Sequence, residues 1–497
     1  MSIEMEKLST HYHDNVKRLK TAFSYPNNED FVVRELSLSH LNKQAAFFYL
    51  KGTVKEDEIQ EQVFNPLLTA NEQIDTEHIL TVLQNQLTKP PQFHTNLNIL
   101  IHKILNGHTV LIIEGNLEAI VLPTMAFAHR TVGQPEIEAV LKGPKEAFLE
   151  SSDVNRSLIR RTIKNQHLLT ETITIGDGST TDVSLMYVSD LVEPALVQEV
   201  KKHLQSIEAD YIANLSILEQ YIEDNPYSLV PTVLLTERPD RAAAFLDEGH
   251  IVLIMDNSPD CLVAPVTFWS FFQTAEDQYQ RFAFGNLIRI IRLLAFFMAL
   301  FAPAVYLATT NYHVEMIPTD LLLTISSNRG NVPLPAVLEL VLVEIMFDVI
   351  REAGTRMPSK VGPVVAIVAA FIVSYATITA GLLSPVIISV VGIASLASYA
   401  IPTNSFNFAV RIARFGFIAL AAVLGFLGIA LGVAMSISYM STVKSFGVPF
   451  ISPLAPYNRS SSDLIFRRAQ WKQWVRPMNI SGKQPVRGKK PEGGANS

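Results

Sequence analysis

The chain changes its hydrophobic pattern once, near Leu287. Before that point, short apolar stretches alternate with polar and glycine-bearing turns. Asn71–Gln86 reads as a helix with apolar Ile74, Ile79, Leu80 and Leu83, broken by Pro90-Pro91. Leu97 to Leu105 reads as a short helix stopped at Asn106-Gly107. Thr109–Ile113 and Ala119–Leu122 read as strands around the Glu114-Gly115-Asn116 turn. A further hairpin is expected over Thr172–Val188, turned at Gly176-Asp177-Gly178, with an amphipathic helix over Glu193–Ile207. Residues 1–30 read as a polar lead-in.

The hairpin at 109–122 recurs. Gly107-His108-Thr109-Val110-Leu111-Ile112-Ile113-Glu114 aligns with Gly249-His250-Ile251-Val252-Leu253-Ile254-Met255-Asp256, and the same register pairs Val121 with Val263 and Pro123 with Pro265. Two readings stay open: a duplicated α/β unit, or two ordinary hairpins sharing β-branched composition. The first gives two related subdomains, 31–150 and 151–280.

From Leu287 the apolar runs lengthen. Leu287–Thr309 would reach roughly 34 Å as a helix, enough for a bilayer core of ~30 Å. Val361–Ala380 and Leu382–Ile401 carry no charge, and Phe415–Met440 is rich in glycine. Gly428 and Gly432 have the small-xxx-small spacing of close helix packing. Ala336–Glu352 is mixed: Glu344, Asp348 and Glu352 share one face at i,i+4 spacing. That face is either a water-lined vestibule or an interfacial helix whose acids are wet or paired with arginines. The expected fold class is an α+β soluble N-terminal domain of two related subdomains, followed by an α-helical polytopic membrane domain over 281–445. The expected spans are four, near 287–309, 361–380, 382–401 and 415–440, with 336–352 as an amphipathic helix in the interface.

Charge sharpens the picture. The net charge is −7. Nine Lys and Arg against two Asp and Glu fall in 459–497, while the N-terminal half is acidic. This argues against a nucleic-acid binder and for a basic cytoplasmic tail, 446–497. The stretch Met1–Lys20 has no apolar signal-like region, so the N-terminal domain is expected on the cytoplasmic side too. Four spans satisfy that parity but place Arg351, Arg356, Lys360, Arg411 and Arg414 on the far side. The single cysteine, Cys261, fits a reducing compartment.

No phosphate loop, nucleophile elbow, paired zinc-binding histidines or cysteine cluster occurs, so no enzyme, cofactor or metal is expected. On 361–380, Ala370, Ser374, Thr377 and Gly381 fall on one stripe, with Phe371 at its margin. Such a stripe can line a narrow water path gated by the bulky ring; tight helix packing uses the same residues.

Several polar runs carry a resemblance. Thr236-Glu237-Arg238-Pro239-Asp240-Arg241, Lys142-Gly143-Pro144-Lys145-Glu146-Ala147-Phe148, and Asn155 with Leu158-Ile159-Arg160-Arg161 stand in order. Glu315-Met316-Ile317-Pro318-Thr319, Asn328-Arg329, Val332-Pro333-Leu334-Pro335, Arg351-Glu352-Ala353-Gly354 and Ser384-Pro385 follow them. Together they resemble the GerA family of spore germinant receptor A subunits from about residue 30 to 460. The resemblance implies a subunit of the inner spore membrane that assembles as a homo-oligomer, expected to be a pentamer, around an ion-conducting pore. It also implies a transporter-like B subunit and a lipoprotein C subunit as partners, alongside membrane lipid. Ala369 to Thr377, and Gln278-Tyr279, depart from the family pattern; a nutrient receptor subunit and a divergent paralogue both stay open. A non-conducting scaffold that docks the partner subunits is the alternative function.

Overall fold

The computed structural model describes residues 7–38, 43–65, 90–127, 135, 138, 140–330, 332–356, 362–458, 464–469, 472–477, 480 and 483–487. The helix expected over Asn71–Gln86 lies outside them. Helix α1 (Tyr12–Ala22) opens the described chain. Strands β1 (Phe31–Leu38), β2 (Lys43–Leu50) and β3 (Gln92–His94), helix α2 (Leu97–Leu105), and strands β4 (Thr109–Ile113) and β5 (Ala119–Leu122) follow. The five strands form an antiparallel sheet in the order β1-β2-β4-β5-β3. Residues 1–30 are therefore more than a polar lead-in. Tyr12, Val16, Leu19 and Phe23 of α1 and its exit are buried against Leu100 and Ile104 of α2 and one face of this sheet. Burying that apolar stripe orders a helix whose outward face is charged.

Helix α3 (Ser152–Thr162) leads into a second sheet. It comprises β6 (Leu168–Ile175), β7 (Thr181–Val188), helices α4 (Pro194–Gln205) and α5 (Leu215–Ile222), β8 (Leu234–Thr236), helix α6 (Pro239–Leu246), and the pair β9 (Ile251–Met255) and β10 (Cys261–Ala264). The order is β6-β7-β9-β10-β8, the order of the first sheet. The register repeats as well. Gln92 pairs with Val121 and Leu234 with Val263; His94 pairs with Ala119 and Thr236 with Cys261. Both helices preceding the repeated hairpins end on a glycine at positive φ, Gly107 at 83° and Gly249 at 92°, which closes the last turn and starts the strand. The repeat is thus a duplicated unit, and it includes the hairpin β1-β2, whose sequence carries no strong turn signal.

The central strands β4 and β9 are buried along their whole length. One face of the second sheet packs on α4 and α5 through Val183, Leu185, Val197, Val200 and Leu218. The other face carries Met186, Val252, Ile254 and Val263. Their core is continuous with Phe271, Ala299, Ala304, Phe406 and Phe450 of the helical half.

That half begins with α7 (Phe282–Tyr312), 31 residues that run on through Pro303. Then come α8 (Thr319–Arg329), α9 (Ala336–Arg356), α10 (Gly362–Thr379), α11 (Pro385–Ser398), α12 (Asn404–Leu424) and α13 (Phe426–Thr442). Contacts fix their directions. Phe296 stacks on Phe406, Phe301 meets Phe417, and the Tyr312 hydroxyl donates to Ala422 O at 2.6 Å, so α7 and α12 both run away from the sheets. The backbone N–H of Ser384, which caps the start of α11, donates to Glu339 at the start of α9, and both lie near Leu307 at the far end. Arg351 reaches Ser398 at the near end, 2.9 Å away. Hence α9 and α11 both return towards the sheets, and α10 leads outward between them. The last helix, α13, also returns: the Tyr439 hydroxyl meets Leu229 N at 2.9 Å.

Two expectations are corrected. The run Phe415–Met440 is not one helix; it breaks at Gly425 (φ 60°), and α13 folds back along α12. Gly428 and Gly432 form the contact, because a Cβ at Gly428 would overlap the Leu420 carbonyl and one at Gly432 would come within 2.6 Å of the Phe417 ring. Segment 336–352 is not a surface helix either; as part of α9 it runs the depth of the block. The described block thus holds six long helices, α7 and α9–α13, that run alternately away from and towards the sheets. Arg351, Arg411 and Arg414 lie in the half nearest the sheets.

Gly428→Leu should therefore separate α12 from α13, a misfit of about 1–3 kcal/mol or more. The full-length protein in detergent should melt earlier and accumulate less. Gly416→Ala, with nothing within 4 Å of the added carbon, should leave both unchanged.

Candidate functional site: charged contacts in the helical core and at its junction

On α9 the acidic face is paired. Glu344 meets Arg414 of α12 at 2.7 Å, both side chains 1% exposed. Asp348 meets Arg411 at 2.8 Å. Glu352 is exposed at the near end. Two of the three acids thus join α9 to α12 as ion pairs. Two further charges of α9 hold α11 by its ends. Glu339, fully buried, accepts from the Ser384 N–H at the start of α11. Arg351 donates to Ser395 O and to the Ser398 hydroxyl at its end, with its guanidinium 4.4 Å over the Tyr399 ring. Each charge has the sign that the helix end demands. Glu339 and Arg351 are roughly 18 Å apart along α9, close to the roughly 21 Å length of α11.

Ala370, Ser374 and Thr377 of α10, and Gly381 just after it, are half-buried. The Thr377 hydroxyl donates within its own helix, to Val373 O at 2.9 Å and Ser374 O at 3.0 Å. Phe371 flanks this stripe about a quarter-turn around the helix, 71% exposed and stacked on Tyr375. The ring thus stands at the margin of the stripe, towards the exposed side of α10.

The junction below is built on Asp277, 1% exposed. Thr274 and Asp277 cap a short helix reciprocally, which aims the carboxylate at the first turns of α7. There it accepts from Arg289 Nε at 2.9 Å and from Arg292 at 2.7 and 2.9 Å. Arg467, from the tail, donates to the Asp277 carbonyl and exchanges backbone bonds with the Asn286 amide at 2.7 and 3.2 Å. Beside it lies the run 236–241. Arg238 holds Asp240 with two bonds, 3.0 and 2.7 Å, and reaches Glu138 O and Pro144 O. Arg241 pairs with Glu138 and donates to Ser270 O and Gln273 O. The Tyr279 hydroxyl closes on Asp240 at 2.6 Å. Its ring covers Gly143 (φ 123°), where a Cβ would collide.

A third cluster joins the two sheets. Asp30 accepts from Arg160 at 2.6 Å, Arg156 at 3.1 Å and the Thr170 hydroxyl at 2.7 Å. Burial raises its pKa, but the two guanidinium groups outweigh that and hold the carboxyl below its ordinary value. Among the described residues no three His, Cys, Asp or Glu gather as metal ligands.

The sequence pattern singled out Glu344, Asp348 and Glu352, but not Asp277 with Arg289 and Arg292, nor the end-capping by Glu339 and Arg351. The Thr274-x-x-Asp277 spacing was the available signal for the first; nothing local marks the second.

A duplicated α+β sheet unit docked on a block of alternating apolar helices defines the class of this protein. Residues 17–479 match the family described as Bacillus/Clostridium GerA spore germination protein, and the chain belongs to that family. It is 37% identical to spore germination protein KA of Bacillus subtilis over 93% of this chain and 85% of that one. It is 35% identical to an uncharacterized membrane protein, YfkQ, of the same organism over 85% and 82%. A crystal structure of the N-terminal domain of the A subunit of the Bacillus megaterium spore germinant receptor GerK3 is 28% identical, with a TM-score of 0.42, covering 53% of this chain and 98% of that one.

Asp277→Asn would leave Arg289 and Arg292 buried against a neutral amide, a loss of about 3–5 kcal/mol. Thermal melting of the full-length protein should report it. Glu58→Gln, which removes a surface pair with Lys55, should change stability by less than about 0.5 kcal/mol.

Proposed function

We propose that this chain is an A-type subunit of a spore germination receptor. In this reading it crosses the inner spore membrane six times, with the two-sheet domain and the tail on the cytoplasmic side. Family membership carries the receptor assignment. Two described helices, Phe282–Tyr312 and Asn404–Leu424, are long and apolar enough to span a bilayer by themselves. The charge pairing on α9, and the capping of short α11, support the other passages as parts of a bundle. Six passages also return Arg351, Arg411 and Arg414 to the side that the positive-inside rule favours. A cysteine at Ser327 should then be labelled by an impermeant thiol reagent in intact protoplasts, while cysteines at Ala353 and Lys483 should not. Labelling at Ala353 would restore the four-span arrangement.

The chain assembles in this reading as a homo-oligomer, a pentamer, beside a transporter-like B subunit and a lipoprotein C subunit, and conducts ions on germinant binding. The exposed face of α10, with Phe371 and Tyr375 stacked on it, supplies the apolar constriction. The specific observation that favours the alternative, a non-conducting scaffold, is the inward bonding of Thr377. Phe371→Ala decides between them. The ring is exposed in the protomer, so the variant should accumulate normally. A channel should then leak ions without germinant; normal abundance with unchanged, germinant-dependent release leaves the scaffold.

A further inference from the structure

Between α5 and β8 the chain makes a tight turn, Asn225-Pro226-Tyr227-Ser228, closed by Ser228 N on Asn225 O at 2.9 Å. Proline holds its first corner, and the Asn225 side chain accepts from Tyr227 N at 3.2 Å, as turns of this kind favour. The turn holds the Tyr227 ring outward, 96% exposed, with Leu229 partly exposed beside it. The tip carries no charge. Of the two acids before it, Glu223 accepts from the Thr232 N–H and hydroxyl, both at 2.9 Å, and Asp224 lies 3.6 Å from His203.

This loop is tied to α13. The Tyr439 hydroxyl, in the last turn of that helix, accepts from Leu229 N at 2.9 Å and meets the Ser228 hydroxyl at 3.0 Å. Two residues past the helix end Lys444 is exposed, and the next residue, Ser445, donates to Thr232 O at 2.6 Å. Helix lengths set the depth of this contact. α12 and α13 meet at Gly425 and lie side by side. At 1.5 Å per residue they reach roughly 32 and 26 Å, so α13 stops roughly 6 Å short of the start of α12. A bilayer core of ~30 Å that α12 spans therefore extends to the level of Tyr439. The near end of α11 carries another exposed tyrosine, Tyr399, beneath the Arg351 guanidinium. Tyrosines gather at this boundary because the ring is apolar and the hydroxyl stays wet.

We propose that the loop 225–229 is a lipid contact of the second sheet: Tyr227 enters the boundary between headgroups and acyl chains of the leaflet nearest the sheets, and Lys444 meets the lipid phosphates. An uncharged turn with an outward ring suits that boundary, where a charged tip would lose its hydration. The contact holds the edge strand β8 to the bilayer at a place separate from the junction on Asp277. This inference rests on the membrane reading above, and the experiment distinguishes a failure of one from a failure of the other.

The test places a tryptophan at three exposed positions of the full-length protein in lipid nanodiscs and reads its added emission as the difference from the native protein. The probe is phosphatidylcholine brominated either near the headgroup or near the chain ends, since bromine quenches tryptophan only at close range. Tyr227→Trp keeps an aromatic ring at an exposed position and should fold normally. Its emission should be lost mainly to the bromines near the headgroup. Met435→Trp, exposed halfway along α13, should be quenched mainly by bromines near the chain ends. Tyr211→Trp should keep its emission with either lipid. That position is exposed and follows Ala209, in the layer of α4 and α5, on the sheet face turned away from the helices. A Tyr227→Trp signal as unquenched as that of Tyr211→Trp, with Met435→Trp quenched, would overturn the lipid contact alone. Met435→Trp unquenched as well would overturn the membrane reading and the contact with it.

Discussion

An ionised side chain inside an apolar helical block must be neutralised where it stands. Removing one partner of such a pair strands the other at a cost of several kcal/mol. Helix α9 carries four such groups, Glu339, Glu344, Asp348 and Arg351, and each finds its complement on a different part of the block. Glu344 and Asp348 take Arg414 and Arg411 of α12. Glu339 and Arg351 take the two ends of α11. The arrangement of the helices follows from this. α9 must lie within the block, α11 must run parallel to α9 so that its dipole fits both charges, and α12 must enter with its arginines level with the acids.

The same logic operates at the junction. Asp277 gathers Arg289 and Arg292 through its carboxylate and Arg467 through its carbonyl, so the sheets, the first long helix and the tail meet on one residue. The apolar core of the second sheet continues into α7 and α12 without a boundary. The two halves are thereby one packed body, and displacement of the second sheet would be felt at the start of α7. The first sheet is joined instead through Asp30 and its arginines, a buried polar link between duplicated units.

The polar runs that carry the family resemblance are largely internal fasteners. Arg238, Asp240 and Arg241 bond within the chain, Gly143 makes room for Tyr279, and Arg160 ties the sheets. Residue identity at these positions is demanded by bidentate geometry and close approach, for which lysine or alanine would not substitute. The departure at Gln278-Tyr279 keeps the Tyr279 hydroxyl on Asp240, so the fastener survives there.

Much of the fold was legible in sequence because its signals are local. The strands Thr109–Ile113 and Ala119–Leu122, the helix Leu97–Leu105 and the 142-residue repeat follow from short-range periodicity and from turn glycines, and the structure reproduces them. The acidic spacing on α9 and the packing glycines 428 and 432 were legible for the same reason. The hairpin β1-β2, the docking of α1, the break at Gly425 and the depth of α9 were not, because each depends on what the segment meets. Apolar composition runs unbroken through Gly425, and only the fit of Gly428 against Leu420 turns the chain back. Acids on a helix are equally consistent with water and with arginines until the partner helix is in place. By itself the sequence determined most of the elements, the register of the repeated hairpin and the family resemblance, all carried by short runs along the chain. Tertiary structure alone decided the direction of each helix in the block and the pairing of the buried charges, since those depend on groups far apart in sequence that meet only after packing.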